Sequence, residues 1–188
     1  MLVLSERGNP RYIAADLLAQ AEHDPDAVAL LVTPSGKLAA AVQAEVLKQL
    51  ERLPKNNPAW RSLQGRSGIL IASGMSAAIR FANEFAPEHL SLPDGDESLV
   101  KKINSAGSVF LGSFSAQPLG DYATGTNHVL PTAGWAAVEG GLSTFDFMKC
   151  FSVQRISRAG FQKLAPAVKT LANAEGLLAH ARAVEVRE

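Results

Sequence analysis

At 188 residues the chain is long enough for one well-buried core, or for a core with a helical appendage. Eighteen Lys and Arg residues balance eighteen Asp and Glu residues, which excludes the basic footprint of a nucleic-acid binder and the basic face of a membrane-surface helix. Cys150 is the single cysteine, no apolar run approaches a membrane span, and "MLVLSERGNP" lacks the pattern of a signal peptide; a reducing, cytoplasmic setting is the expectation.

Short β-rich runs then alternate with longer Ala/Leu-rich amphipathic runs. "LVL" at 2–4 precedes a helix predicted from Pro10 to about His23, with Pro10 suited to the first turn. "AVALLVT" at 27–33 reads as a buried strand and "KLAAAVQAEVLKQLERL" as the next helix. "GILIAS" at 68–73 and "MSAAIRFANEF" repeat the pattern, followed by "HLSL", a helix-like "DESLVKKI" and the strand "GSVFLG". Apolar strands without polar alternation, separated by helices, predict an α/β fold: an incomplete parallel sheet covered by helices on both faces.

From Gly112 to about Ser143 the sequence turns loop-like, and a loop of that length inside a compact domain is usually functional. Beyond it, Arg158 to Val184 reads as one long helix interrupted near Pro166, an arm whose apolar face needs a partner surface. The expected division is therefore an α/β domain over 1–142 and a C-terminal helical arm over 143–188.

Each of the four histidines has a carboxylate or carboxamide close by in sequence. Gln20 and His23 share a helical face, Glu88 and His89 are adjacent behind Pro87, Asp121 precedes His128 in a polar loop, and Glu175 precedes His180. Histidine with Asp or Glu is zinc-type ligand chemistry, although no HExxH or CxxC pattern is present and spacing does not nominate Gln20. A histidine at a helix C-terminus is also simply favoured by the helix dipole, and Glu175 and His180 do not fully share a face. No dinucleotide, phosphate-loop or nucleophile-elbow motif occurs.

"DLLAQAEHDPDA", "FANEFAPEHLSL", "SAGSVFLG", "GDYATGTNHVLPT", "GLSTFDFMK" and "AEGLLAHARAV" occur in the order found in the C-terminal half of histidinol dehydrogenase. The chain resembles that zinc- and NAD-dependent family over nearly its whole length. The resemblance implies a Rossmann-like sheet and oxidation of histidinol to histidine through the aldehyde. It assigns Gln20, His23, Asp121 and His180 to zinc and substrate, with His180 serving a partner subunit's site. Glu88 and His89 match the acid–base pair, and His128 and Glu175 match substrate contacts. It also implies a homodimer and an NAD site on a missing N-terminal half, so that the chain is a portion inactive by itself. The alternatives are a zinc- and substrate-binding module without turnover and, ranked last, a metallohydrolase. One topological difficulty follows: His23 and Pro87–His89 fall at the amino edge of a parallel sheet, whereas Asp121 follows a strand and starts from the opposite edge. The nine or so intervening residues, up to ~30 Å of extended chain, would have to carry it back.

Overall fold

The computed structural model describes residues 1–188 as two compact units, Met1–Phe147 and Met148–Glu188. Residues 143–147, expected in the arm, stay with the first unit beside Leu142, which is tied to its loop. Leu142 N–H donates to the Val129 carbonyl, the Asn127 carboxamide donates to the Leu142 carbonyl, and Asp146 accepts from Ser143.

The first unit is a five-stranded sheet in the order β3-β2-β1-β4-β5, formed by β1 (Leu2–Leu4), β2 (Leu30–Thr33), β3 (Gly68–Ile71), β4 (His89–Leu92) and β5 (Ser108–Leu111). Every pairing is parallel. Alternation along the strands sorts side chains to two cores. Val3 and Leu31 join Ile13, Leu17, Val42 and Ala59 on one face, while Leu2, Leu4, Val32, Leu90 and Leu92 join Ala78, Ile79 and Leu99 on the other. The centre of the sheet is thus buried on both faces, which explains why β1 and β2 read as apolar runs. Helices α1 (Pro10–Ala21), α2 (Gly36–Leu50) and α3 (Ala59–Gly65) cover the first face; α4 (Met75–Phe85) and the single turn α5 (Glu97–Val100) cover the second. Capping fixes where two of them start: Asn9 accepts from Arg11 N–H ahead of Pro10, and Ser35 accepts from Leu38 N–H.

Helix α3 has no counterpart in the sequence reading. The predicted loop after Gly112 also contains structure, namely α6 (Gln117–Tyr122) and a 3-10 turn at Trp135–Ala137. Pro118 in the first turn favours α6, and Gly120 lets it lie on β5, since a Cβ there would meet Phe110 Cε1 at 2.7 Å.

Strand order reverses between β1 and β4, the position where sheets of this order usually open a ligand crevice at the strand carboxyl ends. Here Asp94 ties that edge together. Its carboxylate accepts from Ser5 Oγ at 2.5 Å, Glu6 N–H at 2.8 Å and Arg7 N–H at 3.1 Å, joining the turn after β4 to the turn after β1. The side-chain cluster rich in histidine and carboxylate lies at the other edge.

In the second unit, α7 (Arg158–Ala174) runs through Pro166 without a break, and α8 (Leu178–Glu185) packs against it. The interruption expected near Pro166 falls instead at Gly176, whose φ of 75° is left-handed. Leu177 N–H returns to the Ala172 carbonyl and Gly176 N–H to that of Asn173, satisfying the orphaned carbonyls at the end of α7. Leu164, Val168 and Leu171, spaced as one helical face, are exposed. No helix in the chain is long and apolar enough to cross a membrane.

Candidate active site

The centre of the site is the turn from α4 into β4. Helix α4 stops at Phe85 because Ala86 adopts a left-handed conformation (φ 47°) with its N–H on the Ala82 carbonyl, and buried Pro87 follows. The turn delivers Glu88 half-buried and His89 buried at the amino end of β4. Gly107 holds the turn against β5: its N–H donates to the Pro87 carbonyl at 3.0 Å and Ser108 N–H donates to the Glu88 carbonyl at 2.9 Å. A Cβ at Gly107 would lie 2.7 Å from the Glu88 carbonyl oxygen, so the approach requires glycine.

His89 Nδ1 lies 3.1 Å from Oε1 of Gln20, on buried α1 surface. A carboxamide oxygen only accepts, so Nδ1 carries the proton and Nε2 presents its lone pair. The Phe110 ring packs on the imidazole at 5.7 Å between centroids. Burial, then the positive Met1 terminus, pushes the His89 pKa down to about 4, so the ring is neutral at pH 7. Glu88 Oε2 is 3.9 Å from Nδ1, but with a neutral imidazole this is a neighbouring pair rather than an ion pair. Burial raises the Glu88 pKa above the usual carboxylate range, partly opposed by the Met1 terminus and His23.

Helix α1 supplies more than Gln20. Asp16, Gln20 and His23 recur at i, i+4 and i+7, one face of the helix and the short turn after it. Asp16 stands beside no histidine in the sequence, so local pairing does not reveal it; burial raises its pKa to about 6, and the Gln117 backbone N–H partly offsets the rise. Helix α6 packs on α1 and brings Asp121 back to the amino edge, where its charge raises the pKa of both Glu88 and His89. The topological difficulty is therefore solved by a helix rather than by an extended loop. Gln117, also missed, donates to Asp121 Oδ2 at 2.6 Å. Exposed His128 is near enough for its charge to lower the His89 pKa. A cleft of about 860 Å³ opens beside the pair, lined by Gln20, His23, Glu88 and Arg66 and rimmed by Thr132 and Gly134. Glu175 and His180 belong to the second unit, as the C-cap of α7 and an exposed residue of α8.

The donor types at this edge of the sheet suit a divalent ion of the zinc kind: the His23 imidazole and the Gln20 carboxamide oxygen of the cleft, with the Asp121 carboxylate of α6. They are not preassembled, since no three His, Cys, Asp or Glu side chains gather into an ion-sized cluster, and the Gln20 oxygen is engaged by His89. The donor chemistry fits the ion, and closing the site around it would mean exchanging that hydrogen bond.

Fold and site together define a parallel α/β domain with a buried histidine beside a half-buried carboxylate at the amino edge of its sheet. The histidinol dehydrogenase family profile matches residues 1–188, and the chain belongs to that family. The histidinol dehydrogenase of Methanosarcina barkeri is 46% identical over 188 residues, which are 100% of this chain and 43% of the relative. That of Halobacterium salinarum is 47% identical over 189 residues, 100% of this chain and 44% of the relative. The crystal structure of histidinol dehydrogenase from Elizabethkingia anophelis superposes with a TM-score of 0.91 at 41% identity, covering 99% of this chain and 43% of that one. The chain thus spans less than half the length of these relatives, while its five-stranded parallel sheet is that of the family.

Proposed function

We propose that the chain provides the acid–base and metal-binding side of a histidinol dehydrogenase, an oxidoreductase of histidine biosynthesis converting histidinol through its aldehyde to histidine. The observation that supports this best is the Gln20–His89 contact: with Nδ1 facing the Gln20 oxygen, the lone pair of a neutral imidazole falls to Nε2. Nε2 takes the hydroxyl proton of the alcohol as the carbon is oxidised. Glu88, its pKa raised by burial, draws a proton from the water that adds to the aldehyde carbon. Gln20, His23 and Asp121, with His180 of a second copy of the chain as a fourth ligand, would hold zinc; when bound, the ion supplies positive charge that orients the substrate's nitrogen atoms. His128 and Glu175 bind substrate. NAD supplies the hydride acceptor, and no residue of this chain is assigned to it.

The test is NADH formation from histidinol with zinc present. The chain alone shows no turnover, and adding the portion of a relative that the match leaves uncovered restores it. In that mixture His89→Asn suppresses alcohol oxidation, and Glu88→Gln impairs the aldehyde step more than the alcohol step. A complemented mixture that binds histidinol without forming NADH would replace this reading with a binding module lacking turnover. Sharing of His180 between subunits is tested by mixing His180→Ala and His23→Ala chains: a mixed dimer holds one complete ligand set, so tight zinc binding returns on mixing. A mixture binding no better than either variant rejects the shared site.

A further inference from the structure

Gln117 holds the one buried side-chain nitrogen or oxygen without a partner, its Oε1. The residue has no solvent exposure, so no ligand reaches that oxygen directly. Its other end is committed: Nε2 donates to Asp121 Oδ2 at 2.6 Å, one turn along α6. The opposite orientation of the carboxamide would set two oxygens, one of them anionic, at that distance, so chemistry fixes which end faces Asp121. An unmatched buried acceptor works against stability. A side chain kept there for packing alone would be better served by methionine or leucine.

We propose that Gln117 is a positioning residue that holds the Asp121 carboxylate in one orientation, at the expense of leaving its own oxygen unpaired. The inference deepens the reading of Asp121 as a site residue and rests on it. The place of α6 does not depend on this carboxamide. Helix α6 packs on α1, Gly120 seats the helix on Phe110, and Pro118 favours its first turn. Removing the carboxamide should therefore release Asp121 without moving the helix.

The full chain is compared with Gln117→Met and Gln117→Leu by three readouts: the NMR couplings that report Asp121 χ1, the melting temperature without metal, and zinc affinity. In the unaltered chain Asp121 occupies one rotamer. In both variants the couplings average, the melting temperature is unchanged or higher, and zinc affinity falls on the order of 10-fold or more, as for loss of a group orienting a ligand. A single Asp121 rotamer in the variants, or a loss of melting temperature or folding in both, overturns the proposal in favour of a structural role. If the unaltered chain binds no zinc, the zinc reading of Asp121 fails, and the couplings still decide whether Gln117 positions it.

Discussion

Gln20 and His89 lie 69 residues apart in sequence, yet their side chains meet inside the protein with Oε1 and Nδ1 separated by 3.1 Å. The contact joins the face of α1 to the first residue of β4, so packing of one helix on the sheet sets the proton's place on the imidazole. Two consequences follow, one for stability and one for the tautomer, and the same substitution tests both.

Gln20→Leu keeps the buried volume but leaves Nδ1–H facing an apolar wall. An unpaired buried donor costs about 1–3 kcal/mol, so urea denaturation should give a loss in that range. Imidazole 15N shifts should show His89 moving from an Nδ1–H form toward Nε2–H. An unchanged tautomer would mean that something other than Gln20 orients the ring.

Gly107 makes a prediction about the same turn from its other side. Alanine there would drive Cβ into the Glu88 carbonyl oxygen, backbone that has no rotamer through which to yield. β5 must then back away from β4, weakening the two hydrogen bonds that hold Pro87 and Glu88. The expected cost is about 1–3 kcal/mol, accompanied by shifted amide resonances at Glu88 and His89. Ala86→Gly, at a buried position whose φ of 47° is left-handed, should run the opposite way, because glycine relieves the backbone strain there. A neutral Gly107→Ala would show that the close approach is not required.

Much of this fold is legible in the sequence because a parallel sheet buried on both faces at its centre leaves apolar runs, and all five strands fall within segments that read as strands. The helix break at Gly176 is less visible than Pro166, because a left-handed cap depends on one φ angle while proline advertises itself. The site is legible in its histidine–carboxylate neighbours but not in its pairings. Nothing local says that Gln20 meets His89, since topology alone joins them. Asp16 lies one turn before Gln20 on the same face, and helical spacing could have found it. Gln117 is hidden for another reason: its relation to Asp121 exists only if 117–122 is a helix, and the surrounding Gly/Thr/Asn-rich composition reads as loop.

Asp94 carries a prediction for the opposite sheet edge. It accepts three hydrogen bonds that join the turns after β1 and β4, and hydrogen bonds to a charged group contribute about 1.5–3 kcal/mol each, net of exchange with water, where they are buried. Partial exposure lets water replace some of this. Asp94→Ala should therefore cost roughly 2–4 kcal/mol in denaturant, with Asp94→Asn intermediate because it still accepts. The Glu88–His89 resonances at the far edge should stay in place. Movement of those resonances would show that the two edges are coupled.

Asp16 gives the last prediction, one of pH dependence. Burial raises its pKa from 3.8 to about 6. A carboxyl whose folded pKa is raised takes up its proton more readily in the folded chain. Its stabilising contribution is therefore fully present below about 4 and is lost as pH rises through about 6. His89 acts in an overlapping window with the opposite trend. Its pKa is lowered from 6.5 to about 4, so its contribution is lost as pH falls through that interval. The raw melting curve of the chain mixes the two, and a difference separates them. Asp16→Asn cannot titrate and nearly preserves the side chain's shape. The melting temperature of the unaltered chain minus that of Asp16→Asn should be most positive near pH 4, fall as pH rises toward 7, and level off above it. A flat difference across that range would mean that Asp16 titrates alike folded and unfolded. A difference that rises with pH would mean that the fold stabilises the carboxylate rather than the acid.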